Sequence, residues 1–423
     1  MRILHLVHQY VPEHVGGVEL YTQMMAHYQQ QRGHETAVFT PTNYPITHQP
    51  TTVATEDGTH VYRIPAGRRS RNRVFRDTFY QPHLHRALQA TLAHERPDVV
   101  HIQHLMGLPF SLVKAITQAQ IPFLITLHDY WYGCANAQLI TNDTETLCAG
   151  PDAHYHNCGR CLLARAGQPH FYALAPAVAP LMAARNRHLR HILPRAHTVI
   201  TLTQFVQHAY EKMGLPTANF VLSPLGIDVP QEKLAALRQQ RPPRDPQQLH
   251  IGYVGSIAWQ KGVHDLVTAV NQLPPDRVRL TIYGGLDTYP DYTADLQRHA
   301  THPGIRFAGR IARDAVWEAL TEFDLFVLPT RWYEGSPATI QEAFAAGVPV
   351  IASNIGAMPE KIREGVDGLL FPPGDTNALR DTLTRFLHEP ELVDRLRANI
   401  QPIRTIQEQL AEMDELYAQA TMQ

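Results

Sequence analysis

The feature that most constrains this chain is a pattern that runs through it twice: short apolar runs, each followed by a stretch with helical spacing. "RILHLV" near the start reads as a buried strand, "GVELYTQMMAHYQQQRG" as an amphipathic helix closed by Gly33, and "ETAVFT" as the next strand. "DVVHIQ", a helix from about Leu108, "PFLITLHD", "HTVITL", a helix from Gln204 and "FVLSPLGID" continue the series. Strands and helices taking turns predict a parallel sheet covered on both faces. After Asp228 the sequence turns polar and Pro-rich through "VPQEKLAALRQQRPPRDPQQ", which reads as a linker. A second series follows: "LHIGYVGS", a helix from Gly262, "VRLTIYGG", a helix near Tyr292, "IRFAGR", a helix from Asp314, "DLFVLPT", a helix after Ser336 and "VPVIAS".

At 423 residues the chain exceeds what one hydrophobic core holds, so two doubly wound α/β domains are expected. The expected boundaries are 1–230, with a Cys-rich insertion at about 131–165, and 231–402, with a C-terminal helix at about 403–423 returning to the first domain. Open sheets of this kind bind ligands at the carboxyl ends of their strands, so the two are expected to face a ligand cleft. With 18% charged residues and a net charge of −2, nothing draws the chain toward nucleic acid. "MRILHLVHQY" turns polar too early for a signal peptide and no apolar run has membrane-spanning length, which predicts a cytosolic protein.

One segment, "TRWYEGSPATIQEAFAAG" (330–347), carries more than turn chemistry. Ser336 reads as the N-cap of a helix and Pro337 as its first residue, where a missing N–H costs nothing. Free N–H groups and the positive end of the helix dipole favour an anion there. Glu334 stands before the turn and Glu342 two turns inside the helix; an ionised carboxylate only accepts hydrogen bonds, which suits neighbouring hydroxyls of a sugar ring. In "VGSIAWQKG" a strand ends at Gly255 and Lys261 precedes a helix, so a cation and helix amides meet one diphosphate. A sugar nucleotide answers all of these features. The bland readings stand beside it, a generic strand–loop–helix turn and a capped surface helix with solvated acids.

With these residues in view, "EGSPATIQE" resembles the Glu-x7-Glu signature of retaining glycosyltransferases of the GT-B fold, and "FVLPTRWYEGSPATIQEAFAAGVPVIASNIGAMPEKI" with "EGVDGLLFPPGD" is similar to glycosyltransferase family 4. The resemblance implies that Glu342 holds the two ribose hydroxyls and that Glu334 contacts the donor sugar beside the backbone amides of Gly335 and Ser336. It implies that Lys261 neutralises the diphosphate and that Ile311 lies near the base. Family members commonly have Arg where this chain has Ser256, so a phosphate cation is lacking or comes from Arg310 or Arg331. The donor is a UDP-sugar or GDP-sugar. Catalysis needs no divalent metal; the leaving phosphate accepts the acceptor's proton during attack on the same face.

In "PEHVGGVELY" adjacent Gly16 and Gly17 open amides toward an anion where a helix begins, or simply make the turn. The resemblance places this loop against the donor phosphate with Glu19 close by, and places His128 of "TLHDYW" on the donor sugar, followed by Asp129. The four cysteines, Cys134, Cys148, Cys158 and Cys161, fall in one segment, and "CGRC" has zinc-knuckle spacing. Structural zinc is expected there, with His154 and His156 as rival ligands and free thiols or a redox pair as alternatives. "GRRSRNRVFRDTFY", with Arg68, Arg69, Arg71, Arg73 and Arg76, is either a grip for an anionic lipid-linked acceptor at the inner face of a membrane or a solvated loop.

The leading expectation is transfer of a sugar to a glycan or lipid-linked acceptor. The alternative is a non-catalytic sugar-nucleotide or glycan-binding protein with a zinc-stabilised insertion. A dinucleotide-dependent oxidoreductase lacks its Gly-x-Gly-x-x-Gly turn.

Overall fold

The computed structural model of the chain describes residues 1–44, 52–68, 70–241 and 243–422. Compactness divides it into two units, residues 1–224 with 407–423 and residues 225–406.

The first unit is built on an eight-stranded sheet. Its strands are β1 (Arg2–Leu6), β2 (Glu35–Thr42), β3 (Thr52–Glu56), β4 (Thr59–Pro65), β5 (Val99–Ile102), β6 (Phe123–Leu127), β7 (Thr198–Thr201) and β8 (Phe220–Leu222). They lie in the order β3-β4-β2-β1-β5-β6-β7-β8, parallel throughout except for β3, which pairs antiparallel with β4 at the edge. Central strands such as β5 and β6 are buried along their whole length, as expected of a sheet covered on both faces. Two histidines stand side by side in that apolar centre: His5 of β1 and His101 of β5, paired in register and fully buried.

Beyond β6, the Cys-rich segment is anchored by Arg185 of the helix Ala175–Ile192. Its guanidinium lies 4.7 Å from the Trp131 ring and donates to the Trp131 carbonyl at 2.6 Å. The helix Ile406–Thr421 docks through Leu410, Met413 and Tyr417, with Gln409 bonded to Tyr21 and Asp414 to Arg32 and His34.

The second unit has a six-stranded, wholly parallel sheet of β9 (Leu249–Val254), β10 (Val278–Tyr283), β11 (Ile305–Gly309), β12 (Leu325–Leu328), β13 (Val350–Ser353) and β14 (Gly368–Phe371). The order β11-β10-β9-β12-β13-β14 reverses direction between β9 and β12, which is where a doubly wound sheet opens a crevice at its carboxyl edge. The polar stretch expected to be a plain linker instead contains the helix Gln231–Gln240. Its Leu234 is buried and Lys233 pairs with Glu318 at 2.7 Å, so the segment packs onto the second unit. Leu234 is the helix's one buried residue, and two leucines and two alanines among so many polar neighbours make too faint a stripe to be read as amphipathic.

Gly262, between the turn Trp259–Lys261 and the helix Val263–Val270, has φ +67°, and a Cβ there would overlap the Pro329 carbonyl. This close approach of the chain after β9 to the chain after β12 requires glycine. Gly262→Ala is expected to lower unfolding free energy by about 2 to 4 kcal/mol. Chemical denaturation checks it, and a wild-type midpoint would show that the backbone there relaxes freely.

Candidate active site

The loops that follow β9 and β12 meet at the crevice of the second unit. Glu334, 7% exposed, gathers three donors on Oε1: Lys261 Nζ at 2.5 Å, Trp332 Nε1 at 2.7 Å and Thr330 Oγ1 at 3.4 Å. Lys261 Nζ also lies 5.0 Å from the centre of the Trp332 ring, within cation–π range. Glu334 Oε2 takes no hydrogen bond from a described residue.

Neighbouring contacts hold the loop in place. Arg331 N–H donates to the Gln260 carbonyl at 2.9 Å, and its guanidinium forks onto buried Asp265 at 2.6 and 2.5 Å. Asp265 also accepts from Thr376 at 3.2 Å. From the other side the Ala357 N–H donates to the Glu334 carbonyl at 3.2 Å, and Gly356 at φ +61° lets that turn approach.

The structure therefore brings Lys261 to Glu334, with Gly335 and Ser336 next along the chain, and adds Trp332, to which sequence reading assigned no part in the chemistry. Glu342, 3% exposed and eight residues on, is engaged differently: Arg313, in the turn after β11, pairs with its Oε1 at 2.5 Å. The expected Ser336 cap is not formed. Pro337 sits at ψ 112°, outside the helical range, and the helix runs Ala338–Ala345, one residue later than predicted. Ser336 is thereby out of register with the free N–H groups, and its buried Oγ has no partner among the described residues.

Ser256 is exposed in the loop after β9, its carbonyl accepting from Tyr253 Oη at 2.8 Å. Of the two arginines considered in place of a cation there, Arg331 is committed to Asp265, a bond that raises its affinity for its proton. Arg310 is exposed, with Asp287 as partner at 2.7 Å. Ile311, half-buried, follows β11.

In the first unit a second polar group gathers where β1, β5 and β6 end. Gly16 is the N-cap of the helix Gly17–Gln31, extended at φ −148°, and the Glu19 carboxylate lies tight against it, where a Cβ at position 16 would come within 2.6 Å of Oε2. Burial raises the Glu19 carboxyl above its usual range, with His104 and His14 opposing. His8 Nε2 is 3.9 Å from Glu19, the His8 and His104 rings are 4.3 Å apart, and His104 Nε2 meets Asp129 Oδ2 at 2.9 Å. His128 Nε2 meets Gln103 Oε1 at 3.0 Å. Sequence reading missed His8, His104 and Gln103; the available signal was polar residues closing the strand-like runs "HLVH" and "HIQH".

The cysteines require a correction. Cys134, Cys148, Cys158 and Cys161 are free thiols lining one cavity of about 30 Å³. Among the described residues, however, no group of three or more His, Cys, Asp or Glu side chains is placed to hold a metal ion. The expected structural zinc thus finds no ligand set. Burial, with neighbouring thiols adding to it, raises Cys158 and pushes Cys161 up to about 11 in the metal-free chain.

The basic run is also partly spent inside the fold. Arg73 donates to the Ala66 carbonyl at 2.7 Å and pairs with Asp77 at 3.4 Å. Arg68 and Arg76 are exposed, while Arg69 and the Arg71 side chain lie outside the described residues. Among the described residues no helix is long and apolar enough to cross a membrane.

Comparison with known proteins agrees with this layout. Residues 15–231 match the family described as Glycosyltransferase Family 4, and residues 248–389 match Glycosyl transferases group 1. Glycogen synthase of Mycobacterium tuberculosis is 30% identical over 187 residues, 44% of this chain and 44% of that protein. The lipopolysaccharide core biosynthesis mannosyltransferase LpsB of Rhizobium meliloti is 28% identical over 174 residues, 37% of this chain and 46% of that protein. The chain thus spans less than half the length of these relatives. Among solved structures, sucrose-phosphate synthase from Thermosynechococcus elongatus covers 99% of this chain and 98% of its own, at TM-score 0.71 and 21% identity. Anabaena HepE in complex with UDP covers 99% and 100% at TM-score 0.67 and 18% identity. Two Rossmann-like units matched over the whole chain make this the GT-B fold.

The buried histidines of the first unit set a pH dependence. Burial lowers His5 to about 4 and His128 to about 3, from 6.5 for a free imidazole. Above pH 6.5 folded and unfolded chains both carry neutral imidazoles and this contribution to stability is complete. Below it only the unfolded chain takes the proton, until folded His5 titrates near pH 4. For His5 alone the loss is about 1.4 kcal/mol per pH unit, about 3 kcal/mol in all. Urea midpoints measured from pH 7 down to pH 4.5 are expected to fall, and less steeply in His5→Gln. Parallel curves would show that His5 does not carry the effect.

Proposed function

The chain belongs to Glycosyltransferase Family 4, and from that premise we propose that it is a retaining glycosyltransferase moving a sugar from a nucleoside diphosphate to a glycan or lipid-linked acceptor. The observation that carries this reading is the knot of Lys261, Glu334 and Trp332 at the crevice of the second sheet, with Glu342 in the helix that follows.

In this reading the Lys261 ammonium, held by Glu334 and the Trp332 ring, has protons left for the diphosphate. The unpartnered Ser336 Oγ and the helix behind it face the same anion. Glu334 Oε2 accepts from a hydroxyl of the donor sugar. The ribose hydroxyls donate to Glu342, taking the place of Arg313 or sharing the carboxylate with it. Ile311 lies by the base; within the first unit the amides of Gly16 and Gly17 offer donors to an anion and His128 a contact to a sugar.

The reaction breaks the bond between the anomeric carbon and the leaving phosphate oxygen, and the electron pair goes to the diphosphate. The acceptor oxygen bonds to the anomeric carbon on the same face, and its proton passes to that phosphate oxygen. Negative charge grows on the leaving group, so a fixed ammonium and a helix end lower the barrier without a divalent ion being called for. We take a UDP-sugar as the donor to try first, since HepE, similar in fold, was solved with UDP. The names of the relatives, glycogen synthase and a lipopolysaccharide core mannosyltransferase, favour a polysaccharide or glycolipid product.

The test is a panel of UDP- and GDP-sugars scored for nucleotide release, with nucleotide binding measured by calorimetry. Wild type is expected to release UDP. Glu334→Gln is expected to cut turnover by about a hundredfold while keeping nucleotide affinity, and Glu342→Ala to weaken nucleotide binding by about tenfold or more. Tight binding without release from any donor would point to a non-catalytic binding protein; neither binding nor release would overturn the reading.

A further inference from the structure

The first unit contains a polar system that the roles above leave unused. From Thr126 on β6 to His128 just past its end, the direct path along the chain is two residues, yet a continuous series of hydrogen bonds links them through the centre of the sheet. His128 Nε2 meets Gln103 Oε1 at 3.0 Å, and Gln103 Nε2 meets His5 Nδ1 at 3.2 Å. His5 Nε2 meets Gln29 Oε1 at 2.8 Å, and Gln29 Nε2 donates to Tyr417 Oη at 3.0 Å. Tyr417 Oη meets His101 Nδ1 at 2.7 Å, and His101 Nε2 meets Thr126 Oγ1 at 2.7 Å. Gln29, His5, His101, Gln103 and Tyr417 are buried to within 1% of completely, so water does not substitute for any of these partners.

The direction of the series follows from valence. Burial keeps His5, His101 and His128 neutral, and a neutral imidazole has one N–H and one lone pair. Each glutamine amide has its oxygen on one neighbour and its nitrogen on the other. Gln103 turns its oxygen to His128, so His128 Nε2 carries the proton and donates. Gln103 then donates to His5 Nδ1, His5 Nε2–H to Gln29, Gln29 to Tyr417, Tyr417 O–H to His101 Nδ1, and His101 Nε2–H to Thr126. Every donor finds an acceptor in one direction. Reversal would require both amides and all three imidazoles to change together, so the state is set for the whole series or not at all.

We propose that this hydrogen-bonded series holds His128 as its Nε2–H tautomer, so that Nδ1 is an obligatory acceptor for a hydroxyl of a sugar at the carboxyl edge of the first sheet, with Gln103 and Tyr417 as positioning residues. The proposal rests on the preceding reading of His128 as a sugar contact. His128 is the half-buried end of the series, and its Nδ1 has no partner among the described residues. A histidine presented this way recognises O–H and cannot donate to a ring oxygen or a carbonyl. It also makes the C-terminal helix part of sugar recognition, because Tyr417 supplies the link between Gln29 and His101.

The test uses the full chain labelled with ¹⁵N-histidine. Long-range proton–nitrogen NMR correlations report the tautomer whether or not the protein has activity, with resonances assigned through single His→Gln variants. His128, His5 and His101 are each expected to carry the proton on Nε2; a proton on Nδ1 of His128 overturns the proposal. Gln103→Leu and Tyr417→Phe are then compared, so that one variant remains if the other fails to fold. Each is expected to give His128 a mixture of tautomers and to lower kcat/KM for the best UDP-sugar by about tenfold, the worth of one misaligned hydrogen bond, with UDP affinity unchanged. Gln103→Glu, which returns an acceptor to His128, is expected to restore the Nε2–H form. Variants that keep wild-type tautomer and kcat/KM also overturn it. Should wild type release no nucleotide from any donor, the transferase reading falls while the tautomer assignment is judged on its own spectrum.

Discussion

A carboxylate withdrawn from water must be given donors, and at Glu334 meeting that demand organises the whole carboxyl edge of the second unit. The three donors on Oε1 come from both sides of the crevice: Lys261 from the loop after β9, and Trp332 and Thr330 from the loop after β12. For Lys261 to arrive, the chain must turn at Gly262 against the Pro329 carbonyl, which only a residue without Cβ permits. For Trp332 to arrive, Arg331 between it and Thr330 must be held elsewhere, and its fork onto Asp265 does so. Each contact is modest alone, because paired charges recover in attraction roughly what they lose in desolvation. Their value is positional: a cation and a carboxylate with one oxygen to spare are held in fixed places at the crevice.

The first unit solves a comparable problem with neutral groups. Placing His5 and His101 side by side in the driest part of a parallel sheet would be costly if either lacked a partner. Gln29 comes from the first helix, Gln103 from the end of β5, Thr126 from β6 and Tyr417 from the last helix, and together they satisfy both imidazoles. Buried polar networks of this kind discriminate between arrangements that apolar packing would tolerate equally. The C-terminal helix has such an arrangement to meet: its register is fixed by Tyr417 at the network, Gln409 on Tyr21 and Glu412 on Ser223.

Much of the fold was legible because its signals are local. Apolar runs and helical spacing identified nearly every central strand, and Glu334, Lys261 and Glu342 stood out because turn, helix start and charge fall within a few residues of one another. What escaped is long-range. Lys261 and Glu334 are 73 residues apart and His101 and Tyr417 316, and no periodicity announces such pairings. Arg313, buried Asp265 and the histidines at the strand ends look like ordinary surface or loop residues until the sheet brings them together. The cysteine spacing misled for a related reason: spacing reports which residues share a loop, whereas ligation depends on where each thiol points after Arg185 and Trp131 have anchored that segment. The Ser336 cap failed by one residue, a slip that local rules do not resolve because Pro337 suits the turn as well as the helix.

The pairing of Glu342 with Arg313 bears on how such a site accepts a ligand. The two partners are unequal: the Glu342 side chain is 4% exposed and that of Arg313 51%. On the arginine's side release costs little, since a half-exposed guanidinium regains its hydration in water. Leaving Glu342 behind without donors would cost several times more. The exchange is therefore favourable only for a ligand that brings hydroxyl or amide donors to the carboxylate as the arginine leaves. The same logic holds at Lys261, whose bond to Glu334 keeps the ammonium oriented while an anion approaches.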